Sequence, residues 1–206
     1  MRVFLDDTEL TTEAQTLGSA LEAGRVEAGE RRRVIVEVWA DGERTSDEEI
    51  SSPPEFAPYA DEIKMVSVDP RALVTTTLYD ASDAMVEVRR MQEEASEAIQ
   101  RGETTESLRR VQDVLGVWES ARRAIDHGCA LLGVAPSELL GDQDRFDASV
   151  DRLKETLRSL VEDAQHDDWV GVGDTLDDEL AKLAEEWQAM LCDLGDTIGR
   201  RGDEGT

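Results

Sequence analysis

Between Trp169 and Ile198 the apolar positions recur at alternating steps of four and three. Leu176, Leu180, Leu183, Trp187, Met190 and Leu194 form a single stripe, the seam of a helix that lies against other helices. Asp177, Asp178, Glu179, Lys182, Glu185 and Glu186 fill its remaining faces, which are therefore expected to be wet. The same period recurs upstream. It predicts a helix from Pro70 to Arg101, carrying Leu78, Ala81, Met85, Val88, Met91 and Ala95 on one side. A second runs from Thr105 to Leu132 through Leu108, Val111, Leu115, Trp118, Ile125 and Cys129. A third runs from Asp144 to Gln165 through Phe146, Val150, Leu153, Leu157, Leu160 and Val161. Asp69-Pro70 opens the first of these, because proline lacks an N–H where a first helical turn leaves one unbonded. Gly102 and Gly133 close the first and second, Pro136 opens a short turn of helix, and His166-Asp167-Asp168 breaks before the last. Amphipathic helices joined by short loops predict an antiparallel four-helix bundle over residues 70–198.

Residues 1–69 follow another rhythm. Arg2 to Asp6 reads as a short strand, and a helix capped by Thr11 or Thr12 passes through Leu17, Ala20 and Leu21, loosened by Gly24 and Gly29. Arg33 to Trp39 alternates, Asp41-Gly42 turns a hairpin, and Glu43 to Thr45 returns, since glycine accepts the positive φ of such a turn. Ser51 to Pro54 and Pro58 mark a loop, and Glu62 to Val68 is the last strand. The fold class is α+β: a small sheet with one helix across it, for which a β-grasp is one fitting topology, followed by the bundle. The Gly-containing stretch 199–206 reads as a disordered tail.

Charge narrows the partners. The formal net charge is -26, from 22 Lys and Arg against 48 Asp and Glu. Residues 1–69 hold seven basic and seventeen acidic residues, which leaves them at -10 and the rest at -16. A field of that sign repels phosphate backbones and anionic lipid, so neither nucleic acid nor a membrane is the expected partner. No apolar run reaches the ~18 residues of a membrane span, and the segment before Asp6 is too short for a signal peptide. The expected location is the cytoplasm.

The chemistry-bearing residues do not form a constellation. His127 and His166 fall on different elements. Asp163 and His166 make half of a di-metal spacing whose second copy is missing. Asp142 to Asp147 begins like a calcium loop, but Asp147 stands where such a loop needs glycine, and Leu153 where it needs glutamate. Gly171-Val172-Gly173 lacks a third glycine and a preceding strand. These two glycines mark either a late or bent helix start or a place where a neighbouring helix or a bound peptide comes close. Cys129 and Cys192 lie among apolar neighbours, as small hydrophobes do. The expectation is a non-enzymatic protein with no cofactor and no metal, working through its surfaces. Trp118 and Trp187 suit the core, and Trp169, at a helix start after three polar residues, suits a partner contact.

Short motifs in the helical part resemble flagellar export chaperones of the FliS type. They are Asp69-Pro70, Leu73-Val74 and Leu78-Tyr79-Asp80; Ala98 to Glu103 with Val111 to Leu115; and Leu157 to Trp187 with its late tryptophan. The resemblance covers about Asp69 to Leu191; the unit before it is foreign to that family. It implies an antiparallel bundle that holds an amphipathic segment of an export substrate between its helices, with no reaction. The expectation is then a chaperone-like adaptor for a helical or basic segment of a protein partner. Candidate contacts are Leu78, Tyr79, Met85, Trp169 and Trp187. The alternative is an assembly subunit that forms a homodimer through the bundle.

Overall fold

A computed structural model of the chain describes residues 1–141 and 143–203. It divides into two units by internal contact, residues 1–73 and residue 74 onward. The calcium-like stretch begins at Asp142 and so falls partly outside the described residues.

In the first unit, β1 (Arg2–Leu5), β2 (Thr8–Glu9), α1 (Leu17–Glu30), β3 (Val34–Ala40), β4 (Glu43–Arg44), α2 (Asp47–Ser51) and β5 (Glu62–Val68) follow in order. The strands lie as β2-β1-β5-β3-β4, with β1 parallel to β5 and the other pairs antiparallel. This is the β-grasp arrangement. Val3, Leu5, Val38, Ile63 and Met65 point inward onto Leu17, Ala20 and Leu21 of α1. The alternation expected of Val34, Val36 and Val38 breaks at a bulge between Ile35 and Glu37, which leaves Val36 exposed and Val38 buried.

The cap of α1 is Thr16, not Thr11 or Thr12. Thr16 and Ser19 form a capping box, which satisfies two backbone donors that a helix start otherwise leaves open. Gly24 and Gly29 do not loosen the helix, which runs through both. At Gly24 a Cβ would come within 2.4 Å of the Met65 sulfur, so glycine lets the helix settle onto the sheet. Two elements go beyond the sequence expectation, β2 and α2. The second is opened by a Ser46–Glu49 capping box in a stretch to which no element was assigned, and it ends at Ser51, where the expected loop begins.

The second unit holds α3 (Pro70–Gln100, whose first turn precedes the boundary), α4 (Thr104–Leu132), α5 (Pro136–Leu140), α6 (Gln143–Gln165), α7 (Trp169–Asp174), a π-helical segment (Thr175–Leu180) and α8 (Ala181–Asp203). Pairing across helices sets direction. Tyr79, Ser82, Arg89 and Ser96 of α3 meet Asp196, Gln188, Glu185 and Asp177 in falling order. Val74 and Glu94 meet Gly128 and Arg110 of α4, and Arg152 and Thr156 of α6 meet Glu186 and Glu179. Each pair is antiparallel, as in the expected bundle. All six residues of the Leu176–Leu194 stripe are buried. Trp118 and Trp187 meet edge to face at 5.5 Å in the core.

Some details differ from expectation. Leu108 and Val161, placed on seams by spacing, are exposed. The last helix continues through Asp203, past Gly199, where the tail was expected to begin; residues 204–206 lie outside the described ones. The organising helix is also not uniform, because its π segment interrupts the α-helical bonding. Gly171 explains itself: an added Cβ would stand 3.1 Å from the Asp163 carboxylate, so the close-approach reading holds there, toward α6. Gln92 is buried with both amide atoms unpaired, and the indole N–H groups of Trp118 and Trp187 are unpaired as well.

Candidate protein-binding groove

The α3 and α4 helices are long, antiparallel and rich in small residues along one shared seam. On α3 the seam carries Thr77, Asp80, Ala81, Ala84 and Met91; on α4 it carries Gln112, Asp113, Gly116, Val117, Ser120, Ala121 and Ala124. Steps of three and four keep each set on one face. Alanine and glycine leave the space between the helices unfilled, and the result is an open groove of about 710 Å³. The charged residues among those lining it are Asp80 and Asp113. Thr77 and Met91 are fourteen positions apart, so the trough runs roughly 21 Å at 1.5 Å per residue.

One end of the groove is closed by ion pairs. Met91 and Asp113 also line an adjoining hollow of about 380 Å³ walled by Glu87, Arg90, Glu94, Arg109 and Arg110. Arg109 donates to Glu106 and Asp113, and Arg110 donates to Glu106 and pairs with Glu94. The Arg109 hydrogen bond holds the Glu106 carboxyl below its ordinary range, and Arg90 does the same for Glu87. These cations are therefore spent on neighbouring carboxylates, Asp113 among them, and Asp80 is the groove carboxylate outside these pairs.

The residues expected to touch a partner fall elsewhere. Leu78, Met85 and Trp187 are buried in the bundle core, which corrects their assignment as contacts. Large apolar side chains at seam positions release the most free energy when the protein itself covers them. Tyr79 is exposed, but its hydroxyl donates to Asp196 at 2.5 Å, so it ties α3 to α8. Trp169 is half-buried and packs against the core. None of the five lines the groove. Of the groove residues, Ala81 and Met91 stand in the apolar stripe of the sequence; the rest were missed. The signal available was alanine at 81, 84, 121 and 124, at helical spacing, where bulkier residues would be expected between packed helices.

The other candidates for chemistry stay dispersed. The His166 imidazole lies 2.7 Å from the Glu162 carbonyl through Nδ1. Burial, with the nearby charge of Asp126, pushes the Cys129 thiol up to about 11, away from a reactive thiolate. Cys192 is half-buried, with its sulfur 3.1 Å from the Ser82 hydroxyl. Among the described residues, no group of three or more His, Cys, Asp or Glu side chains could hold a metal ion, and no helix is long and apolar enough to cross a membrane.

Residues 76–190 match the family described as a domain of unknown function (DUF8042). The chain belongs to this family. The match covers more than half of the chain, begins in α3, ends in α8, and contains the whole groove and both core tryptophans. The β-grasp unit lies outside it. No curated protein and no solved structure matches the chain.

Proposed function

We propose that this protein is a non-enzymatic, chaperone-like adaptor whose helical unit holds an amphipathic helical segment of a protein partner. The supporting observation is the α3–α4 groove, long enough for about four helical turns at 5.4 Å each and floored by Ala81, Ala84, Gly116, Ala121 and Ala124. A floor of small side chains takes bulky apolar residues from a partner helix. Asp80 at the groove, within a chain of net charge -26, favours lysine or arginine on the flanks of that helix. The resemblance to FliS-type export chaperones makes an export substrate the partner class. The assembly-subunit reading would bring two chains of charge -26 together, which like-charge repulsion opposes.

The test uses a fluorescent 16-residue peptide with leucine on one face and lysine on the other, titrated into the full chain. Gly116→Leu fills the trough from an exposed position where an added Cβ meets nothing within 4 Å, and Tm reports whether the fold is kept. The expected result is at least a tenfold loss of affinity with no fall in Tm, while Trp169→Ala binds as the parent does. Equal affinity in Gly116→Leu would remove the groove as the site. Light scattering across a concentration series separates the alternative: a stable dimer would favour self-assembly.

A further inference from the structure

The β-grasp unit carries a groove of its own, at the free edge of its sheet. Thr8 to Thr12 form one wall and the flank of α1 from Glu22 to Arg31 forms the other, around a volume of about 470 Å³. The first wall offers main-chain groups. β2 is the outermost strand on that side. Thr8 pairs with Leu5, and Leu10 donates its N–H to the Val3 carbonyl at 2.8 Å. In an antiparallel ladder, a residue between two such pairs directs its main chain the other way. Glu9 therefore turns its N–H and C=O to the open edge.

Asp7, at φ 62°, turns the chain just before β2. The edge is short for that reason, and α1 must supply the rest of any contact. Along α1, Glu22 and Val26 stand four apart, as do Ala23 and Glu27, so they share one flank. Val26 is 56% exposed. With Leu10 and Ala23 it makes an apolar floor.

Charge narrows what fits. Residues 7–31, which supply both walls, hold six Asp and Glu against two Arg, a net charge of -4. One of those two guanidiniums is already engaged, since Arg31 pairs with Glu27 at 2.7 Å. Such walls repel a second copy of this acidic chain and a phosphate backbone alike, and they attract lysine and arginine. An open N–H and C=O at a sheet edge take an extended main chain rather than a helix.

We infer that this groove takes an extended, basic segment of a protein partner. The segment adds to the edge of β2 through main-chain bonds to Glu9, seats an apolar side chain on Leu10, Ala23 and Val26, and turns lysine or arginine toward the acidic walls. This site does not rest on the α3–α4 groove: it selects a strand where that one selects a helix.

The test titrates two eight-residue peptides into the full chain, one of alternating valine and lysine, the other with glutamate at each lysine. Hydrogen exchange of the Glu9 amide, followed by NMR, reports main-chain pairing. The expected result is that the lysine peptide binds and slows this exchange at least tenfold at saturation. Val26→Lys, at an exposed position, should weaken binding at least tenfold with Tm unchanged, while Gly116→Leu should bind as the parent does. The inference falls if the glutamate peptide binds as tightly, if the lysine peptide fails to bind or binds without protecting Glu9, or if Val26→Lys keeps the affinity. Protection of Glu9 that grows with protein concentration alone would assign the edge to a second copy and overturn the basic-segment reading.

Discussion

Gly116 and Gly128 stand twelve residues apart on α4, and the space around them predicts opposite effects of the same substitution. Alanine in place of a mid-helix glycine stabilises by about 1 kcal/mol through backbone entropy. At Gly116 nothing lies within 4 Å of an added Cβ, so that gain is realised. At Gly128 the Cβ would meet Val74 Cγ1 at 2.7 Å. Valine has one strongly preferred rotamer in a helix, so the clash moves backbone rather than a flexible tip, and such overpacking costs roughly 1–3 kcal/mol. Urea unfolding should therefore show Gly116→Ala more stable than the parent by up to about 1 kcal/mol and Gly128→Ala less stable by about 1–2 kcal/mol. If both variants were stabilised, α3 and α4 would not approach each other at Val74 as described.

Asp6 shows how one side chain can fasten several strands. It sits in the turn between β1 and β2 at φ 47° and accepts from the Ser67 N–H at 2.7 Å and the Ser67 hydroxyl at 2.6 Å, with Arg33 3.6 Å away. Burial raises its pKa, but the Ser67 bonds and the Arg33 and Arg31 charges outweigh that, and the net shift is below the ordinary 3.8. A carboxyl with a depressed folded pKa contributes stability above its unfolded pKa and loses it as pH falls through the folded value. Asparagine tolerates the positive φ, so Asp6→Asn isolates the charge. Its Tm deficit relative to the parent should be full near pH 6 and close progressively below about pH 4; a deficit constant down to pH 2 would mean the carboxylate charge plays no part. The turn also shows why β2 was not legible. Asp6 and Asp7 both adopt positive φ without the glycine that announces Asp41-Gly42. The five-residue α2 is too short to show a period, and the π segment leaves the stripe of Leu176, Leu180 and Leu183 unchanged in sequence. The long helices were legible because period, glycine stops and the Asp69-Pro70 start agree. The groove was not, because Ala84 and Ala124 advertise nothing individually; what matters is the volume they leave out.

At the scale of the whole chain, charge imbalance outweighs pairing. Among the described residues, most ion pairs are local steps of three or four along one helix, such as Arg109 with Glu106 and Asp113 or Arg90 with Glu87. Exposed pairs of this kind contribute about 0–1 kcal/mol each, and salt weakens them. Even with every Lys and Arg matched, 26 of the 48 carboxylates would have no partner, and their mutual repulsion opposes folding. Raising sodium chloride from about 0.01 to 1 M shortens the screening length from roughly 30 Å to 3 Å. Repulsion across the molecule acts over longer distances than a contact pair does, so screening removes more destabilisation than stabilisation, and Tm should rise with salt. The lysine-faced peptide in the α3–α4 groove should respond with the opposite sign, since its attraction to Asp80 and to the chain's net negative charge is screened while the acidic protein gains stability. A scanning calorimetry series and a binding titration over the same salt range measure both trends. A falling Tm would show that the ion-pair networks outweigh the net charge, and binding that does not weaken with salt would show that the groove selects by shape alone.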